Sequence, residues 1–267
     1  FEYRPEDHND GEKEFLGETG HFNGEDIIEI ICKQPATAKF ISRHLYHFFV
    51  ADEPPVPKWP YEPPRDPEAI EILTQTYFNS NYDITSMLRV LLNSDFFKSE
   101  KVWYEKIKSP AELVAGVLRL TGGLDPTRRQ IHDKCNQMVY MGQQLANPPS
   151  VEGWHQGIEW IDTGRFMERL NFVSEQFGDL DNPGVKSMVK RILKNSGGLL
   201  SPEELVKKCL DQIGPLQVSH DTNSALVKFA SRDGNIHFNE VDPDVLSQQK
   251  VADLLRFTAA TPEFQRC

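Results

Sequence analysis

The sequence is short of basic charge. Against 40 Asp and Glu residues it carries 29 Lys and Arg, a formal net charge of −11 at pH 7. Affinity for nucleic acid rests largely on Lys and Arg neutralising phosphates, so this balance argues against a nucleic-acid surface and against docking on an anionic membrane. Long apolar runs are missing as well. None approaches the roughly 20 residues that a bilayer-spanning helix needs, so no transmembrane segment is expected. Cysteine is sparse: Cys32, Cys135, Cys209 and Cys267 are widely separated and form no CxxC pair, which removes the usual spacing of a structural zinc site. Cys32 and Cys209 fall inside helical patterns and read as buried thiols, while one or two disulfides stay open.

Short catalytic signatures are absent too. There is no GxSxG elbow, P-loop, HExxH or GxGxxG, so serine, cysteine or phosphoryl chemistry has no motif behind it. Carboxylates are plentiful, but the separation that decides glycosidase chemistry is not written in a sequence. No metal and no cofactor is expected. A signal peptide is also lacking; the chain opens at Phe1 with FEYRPEDHNDGEKEF, which reads as mid-protein sequence and therefore as a processed or truncated piece.

What is present is a series of helices with legible starts. After a polar, Gly-rich entry over residues 1–24, Ile27, Ile28, Ile30 and Ile31 form a stripe that stops before Pro35. The segment PATAKFISRHLYHFFV then places Ala38, Ile41, Leu45, Phe48 and Phe49 at three- and four-residue steps, a face bound for the core. Residues 51–66 hold six prolines and read as a stiff surface connection of polyproline II type. Asp66-Pro67 and Asp83 cap the next helices, the second running through DITSMLRVLLNSDFF. Ser109-Pro110-Ala111-Glu112 and Ser201-Pro202-Glu203-Glu204 are capping boxes with proline in the first turn. Residues 247–259 give a last helix. Val227 and Phe229, then Ile236 and Phe238, flank Asp233-Gly234 and predict a short hairpin.

The fold class expected is mainly α, an irregular helical domain with long ordered loops and a small β-hairpin near the C-terminus. The Gly- and Asp-rich stretch 178–184 divides it into a helical core over 1–177 and a C-terminal helical subdomain of the same unit over 178–267.

Five blocks in order carry a resemblance: GEKEFLGETGHFNGEDIIEIICKQPATAKFISRHLYHFFV, NSNYDITSMLRVLLNSDFF, KSPAELVAGVLRLTGG, MGQQLANPPSVEGWHQGIEWI with RLNF, and ATPEFQ. Together they resemble the C-terminal half of the bacterial family catalogued as domain of unknown function 1800. The resemblance implies an exported protein, periplasmic or extracellular, whose N-terminal half is missing from this chain. As partners it implies that N-terminal half and a sulfatase-like neighbour protein, and it implies no established activity. His155 stands where the family's loop commonly has proline, and His44 and His47 stand where Lys or Arg is common. Those histidines therefore fall outside any chemistry shared across the family.

Four constellations merit a site reading. His44 and His47, three apart on a helix, have the spacing to place two imidazoles on one metal, though no third ligand is near; two partly exposed histidines beside a core stripe is the plainer account. His8, Asp10 and Glu12 form a polar loop cluster of a kind that serves general bases and ligands, and also ordinary turns. SRDGNIHFNE echoes a calcium loop with Gly234 at the turn and Glu240 last, but Phe229 then occupies the first ligand position, so a hairpin is the better reading.

The fourth is the loop MGQQLANPPSVEGWHQGIEW. Asn147-Pro148-Pro149 breaks the preceding helix, and Gly153 and Gly157 permit turns closed to other residues. Trp154 and Trp160 either plug the core or wall a pocket, stacking on a sugar, with Gln143, Asn147, Arg165 and Asn171 supplying polar contacts. On this reading the chain is a non-catalytic binding or assembly module for a partner protein or surface glycan. The alternative is a hydrolase of extracellular polymers whose site is shared with the missing half.

Overall fold

The computed structural model describes residues 4–123, 128–194, 196–214, 216–239, 241 and 243–267. The described residues are mainly α-helical with two small antiparallel strand pairs, as the sequence predicts. They divide into two compact units, Phe1–Val102 and Trp103–Cys267.

The first unit opens with strands β1 (Lys13–Phe15) and β2 (Glu18–Gly20), paired antiparallel with Phe15 opposite Glu18. The two residues between them, Leu16 and Gly17, have φ of 49° and 83°, the positive sign that a type I′ hairpin turn requires at both positions. Leucine disguises this turn in the sequence, where Asn or Asp would announce it. Four helices and a short turn follow: α1 (Gly24–Cys32), α2 (Pro35–Phe49), α3 (Pro67–Asn79), α4 (Ile84–Asn93) and α5 (Asp95–Lys98). Asn23 caps α1 through a reciprocal pair with Asp26, and Asp66 and Asp83 cap α3 and α4 as expected. The helix predicted to run through Phe97 stops at Asn93. Ser94 adopts an extended conformation, and its hydroxyl accepts the Phe97 N–H to start α5.

The core of this unit gathers Ala38, Tyr46, Leu73, Tyr77, Met87 and Leu91 from α2, α3 and α4. The face of α2 that is buried matches the predicted one at Ala38, Ile41 and Leu45 but departs from it at the helix end. Phe48 is 68% exposed and Phe49 36%, whereas Ser42, Arg43 and His47 are buried beside Ala38 and Tyr46. The cause is the Pro-rich segment, which is a docked loop and not a bare spacer. Arg43 donates to the carbonyls of Trp59, Glu62 and Pro63 at 3.3, 3.0 and 3.1 Å and meets the buried Glu53 carboxylate at 2.6 Å. Glu53 also accepts the Arg65 N–H at 2.8 Å. Prolines bring carbonyls without N–H groups, so such a loop needs outside donors, and one guanidinium supplies several.

The second unit contains α6 (Pro110–Thr121), α7 (Arg128–Tyr140), α8 (Thr163–Gly178), α9 (Pro183–Leu193), β3 (Leu199–Leu200), α10 (Pro202–Ile213), α11 (His220–Ala230), β4 (Ile236–His237) and α12 (Val245–Ala259). Both predicted capping boxes close, Ser109 with Glu112 and Ser201 with Glu204. One core joins α6, α8, α9, α10, α11 and α12 through Val117, Phe172, Met188, Leu205, Leu226 and Leu255. Residues 178–184 lie inside it as the joint between α8 and α9, with Phe177 and Val185 buried in the same cluster on either side. α9 starts flush against the end of α6: a Cβ at Gly184 would collide with the Leu120 carbonyl and the Thr121 backbone, so only glycine fits.

The small strand pair near the C-terminus exists, with a different partner from the one expected. Val227 and Phe229 belong to α11, where Phe229 stacks on Phe257 at 4.7 Å, and Ile236–His237 pairs with Leu199–Leu200. The 3₁₀ turn Ser231–Asp233 only delivers the chain to that strand. The chain end is held by backbone pairing of Lys106 with Cys267 and of the Lys108 N–H with the Gln265 carbonyl.

Candidate functional site

The irregular loop leaves α7 at Tyr140 and enters α8 at Thr163. Met141 is fully buried and anchors its start. Gly142 follows at φ 98°, and a Cβ there would press on the Arg165 guanidinium, so glycine lets the turn close over that side chain. Gln143 turns inward and accepts the Ala111 N–H at 2.8 Å, serving one of the free donors at the start of α6. The Gln144 carbonyl accepts the Trp154 indole N–H at 3.1 Å, and its side-chain oxygen accepts from Asn147 at 2.9 Å. Pro148 and Pro149 then carry the chain out to Val151, fully exposed, and Gly153 at φ 97° brings it back.

The two tryptophans part company here. Trp160, at the end of the 3₁₀ turn Gly157–Trp160, is buried to 3% exposure. Trp154 is half-buried and forms one wall of an open groove of about 410 Å³, with Val139, Gly142, Gln144, Asn147, Pro148 and Pro149. Of the predicted contact residues, Asn147 and Trp154 line this groove. Gln143 and Trp160 are structural plugs. Arg165 lies beneath Gly142, donating to the Glu159 carbonyl at 3.1 Å and pairing with Asp162 at 3.0 Å. Asn171 is exposed on α8 and is not part of the lining. His155 pairs with Glu159 at 3.3 Å on the outer side of the loop.

The other clusters do not converge. His44 packs against the rings of Phe40 and Trp59 at 4.4 and 4.6 Å, and burial, helped by the nearby His47, lowers its pKa. His47 instead accepts the Glu53 N–H through Nδ1 at 2.9 Å, so the two imidazoles serve different partners. His8 lies 3.7 Å from the Asp10 carboxylate, and His21 bonds the Asp10 carbonyl at 2.8 Å, while Glu12 is exposed. Glu240, the last position of the calcium-like loop, lies outside the described residues. Among the described residues no group of three His, Cys, Asp or Glu is placed to hold a metal. No helix among them is long and apolar enough to cross a membrane. None of the four cysteines is in a disulfide among the described residues, and Cys209 is buried with its pKa raised by that burial.

Two buried cations escaped the sequence reading. Arg43 is bound up with the prolines that follow it, and a helix arginine next to a donor-poor loop was the available signal. Arg169, on α8, is fully buried: Nε donates to Gln265 at 2.9 Å, Nη2 to the Lys108 carbonyl at 2.7 Å, and Nη1 has no partner among the described residues. Nothing local marks it, because its acceptors lie 61 and 96 residues away.

The loop also carries family information, since MGQQLANPPSVEGWHQGIEWI is among the five blocks described above. Comparison with curated proteins and with solved structures finds no match. Comparison with protein families does: the model described as a protein of unknown function, DUF1800, matches residues 1–266. With all five blocks inside a match of that length, the chain belongs to the DUF1800 family.

Proposed function

We propose that this chain is a non-catalytic binding module for a surface glycan, and that the groove beside Trp154 is its contact. The observation that carries this reading is the state of Trp154: half-exposed, yet fixed by its indole N–H on the Gln144 carbonyl. A sugar ring stacks on an aromatic face held in advance at little cost in side-chain freedom. Asn147 and Gln144 bond each other through one amide N–H and one oxygen, which leaves the Asn147 oxygen and the Gln144 amide group for sugar hydroxyls. Hydrolysis of an extracellular polymer is the alternative, but no carboxylate lines the groove. The reading includes a location outside the cytoplasm, supported by the family's typical export, and cell fractionation tests that part.

A glycan array probed with the wild type and with Trp154→Ala is the direct assay. Binding by the wild type, lost in Trp154→Ala and kept in Trp160→Phe, is the expected result. Equal absence of binding by wild type and Trp154→Ala removes the glycan reading.

A further inference from the structure

The second unit has another concavity, away from the loop. It is a cleft of about 140 Å³ whose wall is aliphatic, made by Leu113, Val117 and Leu120 of α6 with Ile213 and Leu216. Lys108 lines the same cleft. Its ammonium sits over the Phe264 ring, 4.4 Å from the centroid, and donates to the Phe264 carbonyl at 2.6 Å. Among the described residues it makes no ion pair, and two of its three N–H groups have no acceptor. Arg169 stands next to it, donating to the Lys108 carbonyl and keeping one buried nitrogen without a partner among the described residues. A buried cation and a partly buried one thus stand side by side, hydrogen-bonded to neutral acceptors, with the negative charge of Glu112 felt by both and that of Cys267 by Lys108, whereas buried charges are ordinarily in direct ion pairs. Burial is the first cause of a lowered pKa at both.

We propose that this cleft binds a short aliphatic monocarboxylate, its carboxylate on Lys108 Nζ and its alkyl chain along Leu113, Val117 and Leu120. Arg266, also in the lining, is a second cation at the site. The one acid of the lining, Glu112, is held by its capping bond to the Ser109 N–H at 2.7 Å. Its negative charge disfavours a dianion such as phosphate while leaving a single carboxylate acceptable beside Lys108 and Arg266. Size sets the chain length: an apolar cavity of about 150 Å³ accepts benzene, so a ligand of roughly six carbons fits. Hexanoate is the probe.

The test is an NMR titration of the whole chain with hexanoate, and with hexan-1-ol as its uncharged match. Saturable shifts of the Gly116 and Val117 amides are expected, with hexanol weaker by about tenfold or more, the worth of a charge-assisted contact. Lys108→Met keeps the alkyl stem and removes the charge; it should weaken hexanoate by about tenfold and leave hexanol unchanged. Gly116→Leu fills the cleft from a helical position whose Cβ meets nothing within 4 Å, so it should block both ligands in a folded protein. The Lys108 ammonium resonance should titrate at higher pH with hexanoate bound, an effect that a purely structural lysine would not show. The proposal is overturned by absence of saturable shifts, by equal affinity for hexanol, by unchanged hexanoate binding in Lys108→Met, or by binding that survives Gly116→Leu.

Discussion

Arg43 in the first unit and Arg169 in the second are both buried arginines, and their surroundings settle the charge in opposite ways. Arg43 faces a carboxylate: Glu53, itself buried, meets it at 2.6 Å, and three loop carbonyls take its remaining donors while Trp59 lies 4.7 Å over the guanidinium. Among the described residues Arg169 has only the Gln265 side chain and the Lys108 carbonyl as acceptors, and one nitrogen has none. Taking an ion out of water costs several kcal/mol, and a partner with good geometry offsets much of it. The pair in the first unit is therefore a closed unit whose halves depend on each other. In the second unit the charge itself is the burden, and its hydrogen bonds are what make it tolerable.

This contrast predicts an ordered set of effects on urea unfolding. Glu53→Ala strands a buried guanidinium and should destabilise by about 3–5 kcal/mol, and Arg43→Met, which strands the carboxylate, by a similar amount. Gln265→Met takes the acceptor from Arg169 Nε and leaves the charge in place, for which about 2 kcal/mol is expected. Arg169→Met removes the charge together with its desolvation cost and leaves two neutral acceptors unserved, so about 1 kcal/mol or less is expected. The sharp point is an inversion. Deleting the charged residue of the second unit should cost less than deleting its neutral partner, while in the first unit both deletions are severe. Equal losses for Arg43→Met and Arg169→Met would end the distinction.

The same contrast shows how far the sequence reaches. Helix starts were legible because caps are local: Asp66, Asp83, Ser109 with Glu112 and Ser201 with Glu204 each act within three residues. The buried face of α2 was legible only in part, at Ala38, Ile41 and Leu45, because periodicity also weights Phe48 and Phe49 and has no means of seeing that a loop ten residues on will bury Arg43. The hairpin near Gly234 was half legible. Ile236 is a strand residue, but its partner Leu200 lies 36 positions away, and Val227 and Phe229 satisfy a helical period as well as an alternating one. In the candidate site, tryptophan content and the broken backbone pointed to the loop. Which indole stays out was decided by Gly142 and Gly153 turning the chain, a matter of φ that residue type alone leaves open.

The smallest expected effect is also the most diagnostic of Arg169. Burial above all, against a counter-pull from Glu112, pushes its pKa down to about 10, well below the ordinary guanidinium value. The native state then releases this proton at lower pH than the unfolded chain does. Below pH 10 both states hold the proton and the burial penalty is complete. Above about pH 10, until the unfolded chain's arginine also releases its proton, the unfolded chain binds more protons than the native one, so this residue makes stability rise with pH. Other groups titrate in that range, but wild type and Arg169→Met share them, and they cancel in the difference. The urea midpoint of the wild type minus that of Arg169→Met should therefore increase from about pH 9 to about pH 11. A constant difference would mean that the guanidinium is compensated in the native state after all, by an anion held close to it, and the second unit would then resemble the first.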